Sequence, residues 1–529
     1  MSRSAPRRPS GAVFGWALIL AVVAVFATPV AVLAWSLADP ATEVWLQLWR
    51  TRLPRMIVDT TVLLMTVVAG AIIVGTSLAW LVSAYEFTGR KVISWLLVAP
   101  LAIPGYVGGF VWLDTLSNVF GARGVRAMWL CAAVLVVSLY PYVYLFARAA
   151  FADQGAGTIA AARSLGSGPV AVFFRVAVPA ARPAIAAGAA LVAMEVLTDI
   201  GTVRLFNVST LSDGVMRVWF DTGDRGAATE LASALTGAAV LLVALERLLR
   251  RGARRSRSAH ETPLTPSRLT MAGSFSVFAV CALVVVVAVV TPLIRLTNWA
   301  IQSVQAGDAV TIAGGVRYHA GSTLALAGSA TVICIVVGTL LALVVTHRGR
   351  FARAIGRLAT VGYAMPGPVV AVGVVVTLAA LDRRGWIPGQ FLFVGSAVGL
   401  VFALVTRFFA VGYQGVEASL ERLPPSALES ARVLGAGPLR CAVAVEIPAA
   451  RYGLIAATAL LCVDMVKELP ITLLLRPFGI DTLAVWVWQA TSESLWAQAA
   501  VPSLLMVAVG MVAVGVLLVA LERGGEFVS

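Results

Sequence analysis

The sequence predicts an all-α polytopic membrane protein whose twelve transmembrane helices form two parallel six-helix repeats. Three observations predict it. Of the 529 residues, 60% are hydrophobic and 12% charged, with a mean hydropathy of +0.91, where a soluble chain runs about half apolar and a quarter charged. Apolar runs of about 20 residues, enough to cross a bilayer, recur twelve times along the chain. The polar segment after the fourth run returns, motif for motif, after the tenth. A water-soluble enzyme, a disordered chain and a fibrous chain are excluded together.

The runs lie near 14–36, 60–83, 93–113, 128–148, 183–203, 229–249, 271–294, 322–346, 358–381, 391–412, 450–471 and 499–521. The first follows Arg3, Arg7 and Arg8, is too long for a signal-peptide core, and reads as an uncleaved helix. With the N-terminus inside, 26 of the 40 basic residues are assigned to the cytoplasmic side, Arg407 among them, and 13 outside. Such a bias predicts both termini in the cytoplasm. It also explains the net charge of +14 without nucleic acid. The one strongly polar linker, from Arg247 to Arg268, joins two halves, 1–258 and 259–529. Single, scattered cysteines (Cys131, Cys281, Cys334, Cys441 and Cys462) predict buried hydrophobes rather than disulfides or a metal site.

The repeat is specific. ARSLGSGP, from Ala162, and PAARPAI, from Pro179, return as ARVLGAGP, from Ala431, and PAARYGL, from Pro448. One constant offset carries Gly166 onto Gly435 and Pro179 onto Pro448, and each glycine precedes its proline by 13. A weaker echo joins AIPG (Ala102–Gly105) to AMPG (Ala364–Gly367), each expected inside the third helix of its half. Six helices per half keep both halves in one orientation, with a path expected where they meet. The loops at about 150–182 and 414–451 are too long for turns. Their spacing predicts a short helix, a glycine turn, a second short helix and a proline opening a membrane helix, a shape suited to docking a two-fold cytoplasmic partner.

These loops resemble the EAA loop of the integral-membrane subunits of binding-protein-dependent ABC importers: E-A-A, three residues, glycine, then a proline 13 further on. The second copy reads Glu429-Ser430-Ala431 with Gly435 and Ile447-Pro448; the first reads Ala160-Ala161-Ala162 with Gly166 and Val178-Pro179, without the acid. The resemblance implies the type I importer permease fold, fused as two domains, at the bacterial cell membrane. It implies two copies of a cytoplasmic ATPase on the loops, contacting them unequally, and an extracytoplasmic substrate-binding protein. It implies no cofactor on this chain, with ATP and Mg on the partner ATPase, and membrane lipid as the surroundings. The strings EVLTDIGTVRLFNVSTLSDGVMRVWFDTGD, from Glu195, and VDMVKELPITLLLRPFGIDTLAVWVWQ, from Val463, are similar to segments of ferric-iron permeases. Ferric iron is the substrate this implies, with thiamine, polyamines, phosphonates and oxyanions as alternatives.

No catalytic motif is present. Lys91 follows Arg90 and Lys467 follows Val466, so neither sits in a phosphate-binding Gly-Lys-Ser/Thr. His260, His319 and His347 are scattered in expected loops, and no HExxH or GxSxG occurs. The chain is therefore expected to be a transport subunit rather than an enzyme, and a gradient-driven transporter of two six-helix halves is the competing class. The ionisable residues within runs carry the remaining information. Glu195 and Asp199 recur at the same offset as Asp464 and Glu468, joined by Lys467. The i,i+4 spacing predicts an acidic stripe on one helical face, lining a cation path or held in ion pairs.

Overall fold

The computed structural model describes residues 9–36, 42–120, 127–152, 156–223, 225–251, 266–384 and 392–526. The basic N-terminus, most of the linker with the 258/259 boundary and His260 lie outside them. The described residues are helical except for turns and one pair of two-residue strands, Tyr85–Glu86 beside Ser267–Arg268 in parallel register.

Eight helices are long and apolar enough to cross a membrane, and eleven crossings result if each of three sharply bent helix pairs counts as one. All eleven coincide with expected runs. The run at 229–249 falls on the helix Arg225–Arg251, whose last side chains are not all described, and is not among them.

Two of the bends lie at the AIPG and AMPG echoes, which break helices rather than sitting inside them. The chain turns by 94° between Arg90–Ala102 and Gly105–Asn118, and by 109° between Gly349–Ala364 and Gly367–Arg384. The cause is local. Proline disfavours the helical conformation of the residue before it, and Ile103 (φ −99°, ψ 113°) and Met365 (φ −109°, ψ 141°) are extended.

The described elements form two compact units that do not follow the linear halves. One comprises Met1–Pro40, His319–Thr482 and Val512–Ser529, the other Ala41–Tyr318 and Leu483–Met511. The leading helix of each half thus packs with elements of the other half. In the first unit Pro9–Ser36 runs along Gly367–Arg384, and Phe26 stacks on Phe409 at 4.5 Å between ring centroids. In the second, Leu53–Ala84, Ala127–Ala152 and Val178–Thr198 form the core, and Thr291–Ser303 packs on Gly105–Phe120. There Arg295 pairs with Asp114, and Trp299 and Trp496 flank Phe110 at 5.8 and 5.7 Å. Glycines let the membrane helices close up: a Cβ at Gly75 would stand 2.8 Å from the Tyr140 carbonyl oxygen, and one at Gly338 2.9 Å from the Tyr413 nitrogen.

Candidate coupling loops and intramembrane site

Both expected cytoplasmic loops are built alike. The helices Ala156–Ser164 and Pro425–Val433 end in the same capping motif. The Ser167 N–H donates to the Ala162 carbonyl and the Gly166 N–H to that of Arg163. Ala436 donates to Ala431 and Gly435 to Arg432, all four at 3.0 Å. This paired cap needs a left-handed residue, and Gly166 (φ 83°) and Gly435 (φ 82°) supply it. A Cβ at either would meet nothing within 4 Å, so conformation and not crowding selects glycine. Each loop continues through a short helix opened by Pro169 or Pro438 into a five-residue π segment, Phe173–Ala177 or Ala442–Glu446. Pro179 and Pro448, which lack an N–H, follow just after. The copies then part: Val178–Thr198 runs on, whereas the chain bends by 66° before Arg451–Val466.

The loops present matched apolar side chains. Leu165 and Leu434 are 86% and 85% exposed, Val170 and Leu439 71% and 79%, and Phe174 and Val443 64% and 59%. Each pair obeys the offset that relates Gly166 to Gly435. Ala160 and Glu429, also matched, are both exposed. The second loop has bracing of its own. His347 Nε2 lies 2.9 Å from the buried Glu446 carboxylate, and Arg353 pairs with Glu421 at 3.1 Å. Tyr413 donates to Glu417 at 2.9 Å, with Arg357 3.5 Å from the same carboxylate. In the first loop, Arg163 donates to the Ser267 hydroxyl at 3.0 Å, tying the helix to the strand that follows the linker.

Two of the four intramembrane acids, Asp199 and Glu468, prove to be helix caps. The helix Val178–Thr198 ends at Asp199, whose ψ of 126° turns the chain out. Its carboxylate accepts the N–H groups of Thr202 and Val203 at 2.8 and 3.1 Å and the Thr202 hydroxyl at 2.8 Å. Glu468 follows the end of Arg451–Val466. It accepts the N–H of Ile471 at 3.0 Å, the N–H of Thr472 at 3.1 Å and the Thr472 hydroxyl at 3.2 Å. The expected uninterrupted acidic stripe is therefore corrected. The helix stops between the two acids or at the second, because that carboxylate satisfies the orphan amides of the next short helix, Gly201–Leu205 or Pro470–Leu475. Asp464 is buried and lies 3.0 Å from Lys467.

The bend at each proline–glycine echo meets the corresponding cap. A Cβ at Gly105 would stand 2.9 Å from Thr202 Oγ1 and 3.3 Å from Asp199 Oδ2, and one at Gly367 3.3 Å from Pro470 Cβ. In the first copy a polar chain leads on from the cap. Ser212 donates to the Asp199 carbonyl at 3.1 Å, and the Leu211 N–H donates to Thr60 at 2.9 Å. The fully buried Asp213 accepts from Arg204 and Arg217, both at 2.5 Å.

Three sites escaped the sequence reading. Arg407 lies mid-helix in Ala397–Leu420 and is 8% exposed. Its assignment to the cytoplasmic side is corrected: it falls inside the apolar run at 391–412 and mid-way along the candidate membrane span Ala397–Leu420. A guanidinium at such a position costs roughly 2.5–3.5 kcal/mol on insertion scales; a lone arginine inside an apolar run was the available signal. The Asp213 cluster lay hidden because Arg204 and Asp213 stand on different short helices, which only the fold brings together. His319, expected in a loop, lies inside Ala309–Thr346, with Nδ1 3.1 Å from the Asp481 carbonyl oxygen. Among the described residues no three His, Cys, Asp or Glu side chains are placed to hold a metal ion.

Residues 71–255 match the family described as binding-protein-dependent transport system inner membrane component. Over 477 residues, 88% of this chain and 91% of the relative, the sequence is 26% identical to the Fe(3+)-transport system permease protein FbpB 2 of Haemophilus influenzae. It is 25% identical over 247 residues to the sulfate transport system permease protein CysT of Escherichia coli, covering 42% of this chain and 87% of that one. It is 29% identical over 147 residues to the molybdate/tungstate transport system permease protein WtpB of Pyrococcus abyssi, covering 27% and 57%. The duplicated loops and the near-complete match to one long relative define the class: a multi-pass inner-membrane permease. Specifically, the chain is similar to permeases of the binding-protein-dependent ABC importer type, and its similarity to one long relative extends over both copies of the repeated loop.

Proposed function

We propose that this permease forms the translocation path for ferric iron and is driven by a separate ATPase. The observation that carries the proposal is the matched pair of loops, each offering three exposed apolar side chains and a glycine cap at corresponding positions of the two halves. Apolar surface of that kind on a cytoplasmic loop favours a permanent partner. Two copies of one ATPase fit two copies of one surface. The ATPase carries ATP and Mg; an extracytoplasmic protein binds the solute and delivers it. Nucleotide binding draws the ATPases together, the loops move, and the path changes the side to which it opens. In this reading the chain crosses the membrane twelve times as two parallel six-helix repeats, 1–258 and 259–529, with both termini cytoplasmic.

Iron is favoured by the long ferric-iron relative and by the acids Glu195, Asp199, Asp464 and Glu468 within the expected membrane runs, which suit a cation better than an anion. An oxyanion is the second reading, favoured by the sulfate and molybdate/tungstate relatives. The test is uptake into proteoliposomes holding the permease and its ATPase, with the binding protein outside. ATP-dependent accumulation of ferric iron, with sulfate and molybdate excluded, is the expected result. Uptake driven by an ion gradient without ATP overturns the class; ATP-driven uptake of sulfate or molybdate overturns the substrate.

A further inference from the structure

Arg407 is buried in the middle of a membrane helix, and its surroundings say what it is for. Its guanidinium lies against Gly367, the residue that reopens the helix after the 109° bend: a Cβ there would clash with Nη1 and stand 3.3 Å from Cζ. At the same point it would stand 3.3 Å from Cβ of Pro470. Pro470 opens the short helix whose amides Glu468 caps. Arg407 therefore sits where the two helix breaks of this half converge, with its charge in range of Glu468.

The first copy solves the same problem differently. There the cap reaches the bend directly, through Thr202 Oγ1 and Asp199 Oδ2 at Gly105. The residue matched to Arg407 is Ser138, and the one matched to Lys467 is Thr198. Two formal positive charges accompany Asp464 and Glu468, and neither matched position beside Glu195 and Asp199 carries one.

We infer that Arg407 is a positioning residue that locks the Pro366–Gly367 break to the 467–470 break, so that the two hinges of this half move as one. Breaks of this kind are where a span absorbs changes of backbone angle. A strut across both makes their movement concerted. The inference rests on reading the chain as an ATP-driven permease for its consequence, but not for the contact itself.

Two measurements test it. The first reads the contact without transport, by thermal unfolding of the purified chain. Gly367→Ala is expected to lower the midpoint in the wild-type background, where the guanidinium blocks the added methyl, and to be tolerated in the Arg407→Ser background. Additive effects of the two substitutions overturn the lock. The second compares ATP hydrolysis and uptake in the reconstituted complex. Arg407→Ser is expected to reduce uptake about tenfold and to raise hydrolysis in the absence of binding protein, with Arg407→Lys partly restoring both. Wild-type uptake and hydrolysis in Arg407→Ser overturn the positioning role. If Arg407→Ser fails to accumulate, Arg407→Gln with Glu468→Gln removes both charges together. Uncoupled hydrolysis in that variant supports the lock, and normal coupling overturns it, leaving Arg407 as charge compensation alone. A wild-type complex that shows no ATP-driven uptake defeats the functional reading, and the unfolding experiment then decides the lock by itself.

Discussion

Asp199 and Glu468 occupy matched positions in the two halves, and each carboxylate accepts the N–H groups of the third and fourth residues ahead of it. The duplication is thus one of local geometry as well as of letters, since an aspartate and a glutamate reach the same amides. A carboxylate held by two amides and a hydroxyl fixes the start of the next short helix.

Removing either acceptor strands those buried amides. Asp199→Ala and Glu468→Ala are each expected to destabilise the folded chain by about 1–3 kcal/mol, whereas Asp199→Asn and Glu468→Gln keep an accepting oxygen and most of the stability. Thermal unfolding in detergent measures both. If the acids also act on a passing cation, the double variant Asp199→Asn with Glu468→Gln slows ferric-iron uptake at unchanged protein level. Unchanged uptake per molecule assigns them to structure alone.

Gly166 and Gly435 are held by conformation rather than by contact. Leucine at either position costs about 1–2 kcal/mol of loop stability from the left-handed backbone and is expected to uncouple ATP hydrolysis from uptake. Asparagine, which tolerates that region, is expected to retain coupling. Equal behaviour of the two variants would argue against the cap as the cause.

The exposed apolar residues predict a docking defect without a folding defect. Leu165→Asp and Leu434→Asp, both at exposed positions, are expected to leave the permease in the membrane at normal level and to reduce co-purification of the ATPase at least severalfold. Glu429→Ala is expected to weaken the same association more than Ala160→Gly, because only the second copy offers a carboxylate.

Asp213 is fully buried between Arg204 and Arg217. Asp213→Ala leaves two guanidinium groups facing each other and is expected to cost about 3–5 kcal/mol, seen as loss of the protein from the membrane. Asp213→Asn removes the charge but keeps an acceptor, and is expected to fall between that variant and wild type.

The sequence by itself determined the class, because its signals are local. Apolar runs define spans, Gly166 and Gly435 mark left-handed caps, and the constant offset between matched motifs exposes the duplication. Each motif depends on residues near one another along the chain, so periodicity and spacing suffice to read it. The proline–glycine echo was legible as a repeat, but its meaning as a sharp bend came only from the backbone angles of Ile103 and Met365. Tertiary structure alone decided the rest. Which half the Pro9–Ser36 helix packs with depends on surface complementarity, such as Phe26 against Phe409, not on linear order. Glu468 reads as one member of an acidic stripe until the chain turns beneath it and hands it the Ile471 and Thr472 amides. Arg407 reads as one more cytoplasmic arginine until the fold brings Gly367, far from it in sequence and itself close to Pro470, against its guanidinium. Burial and partnership are properties of neighbours in space, and only the folded chain supplies those.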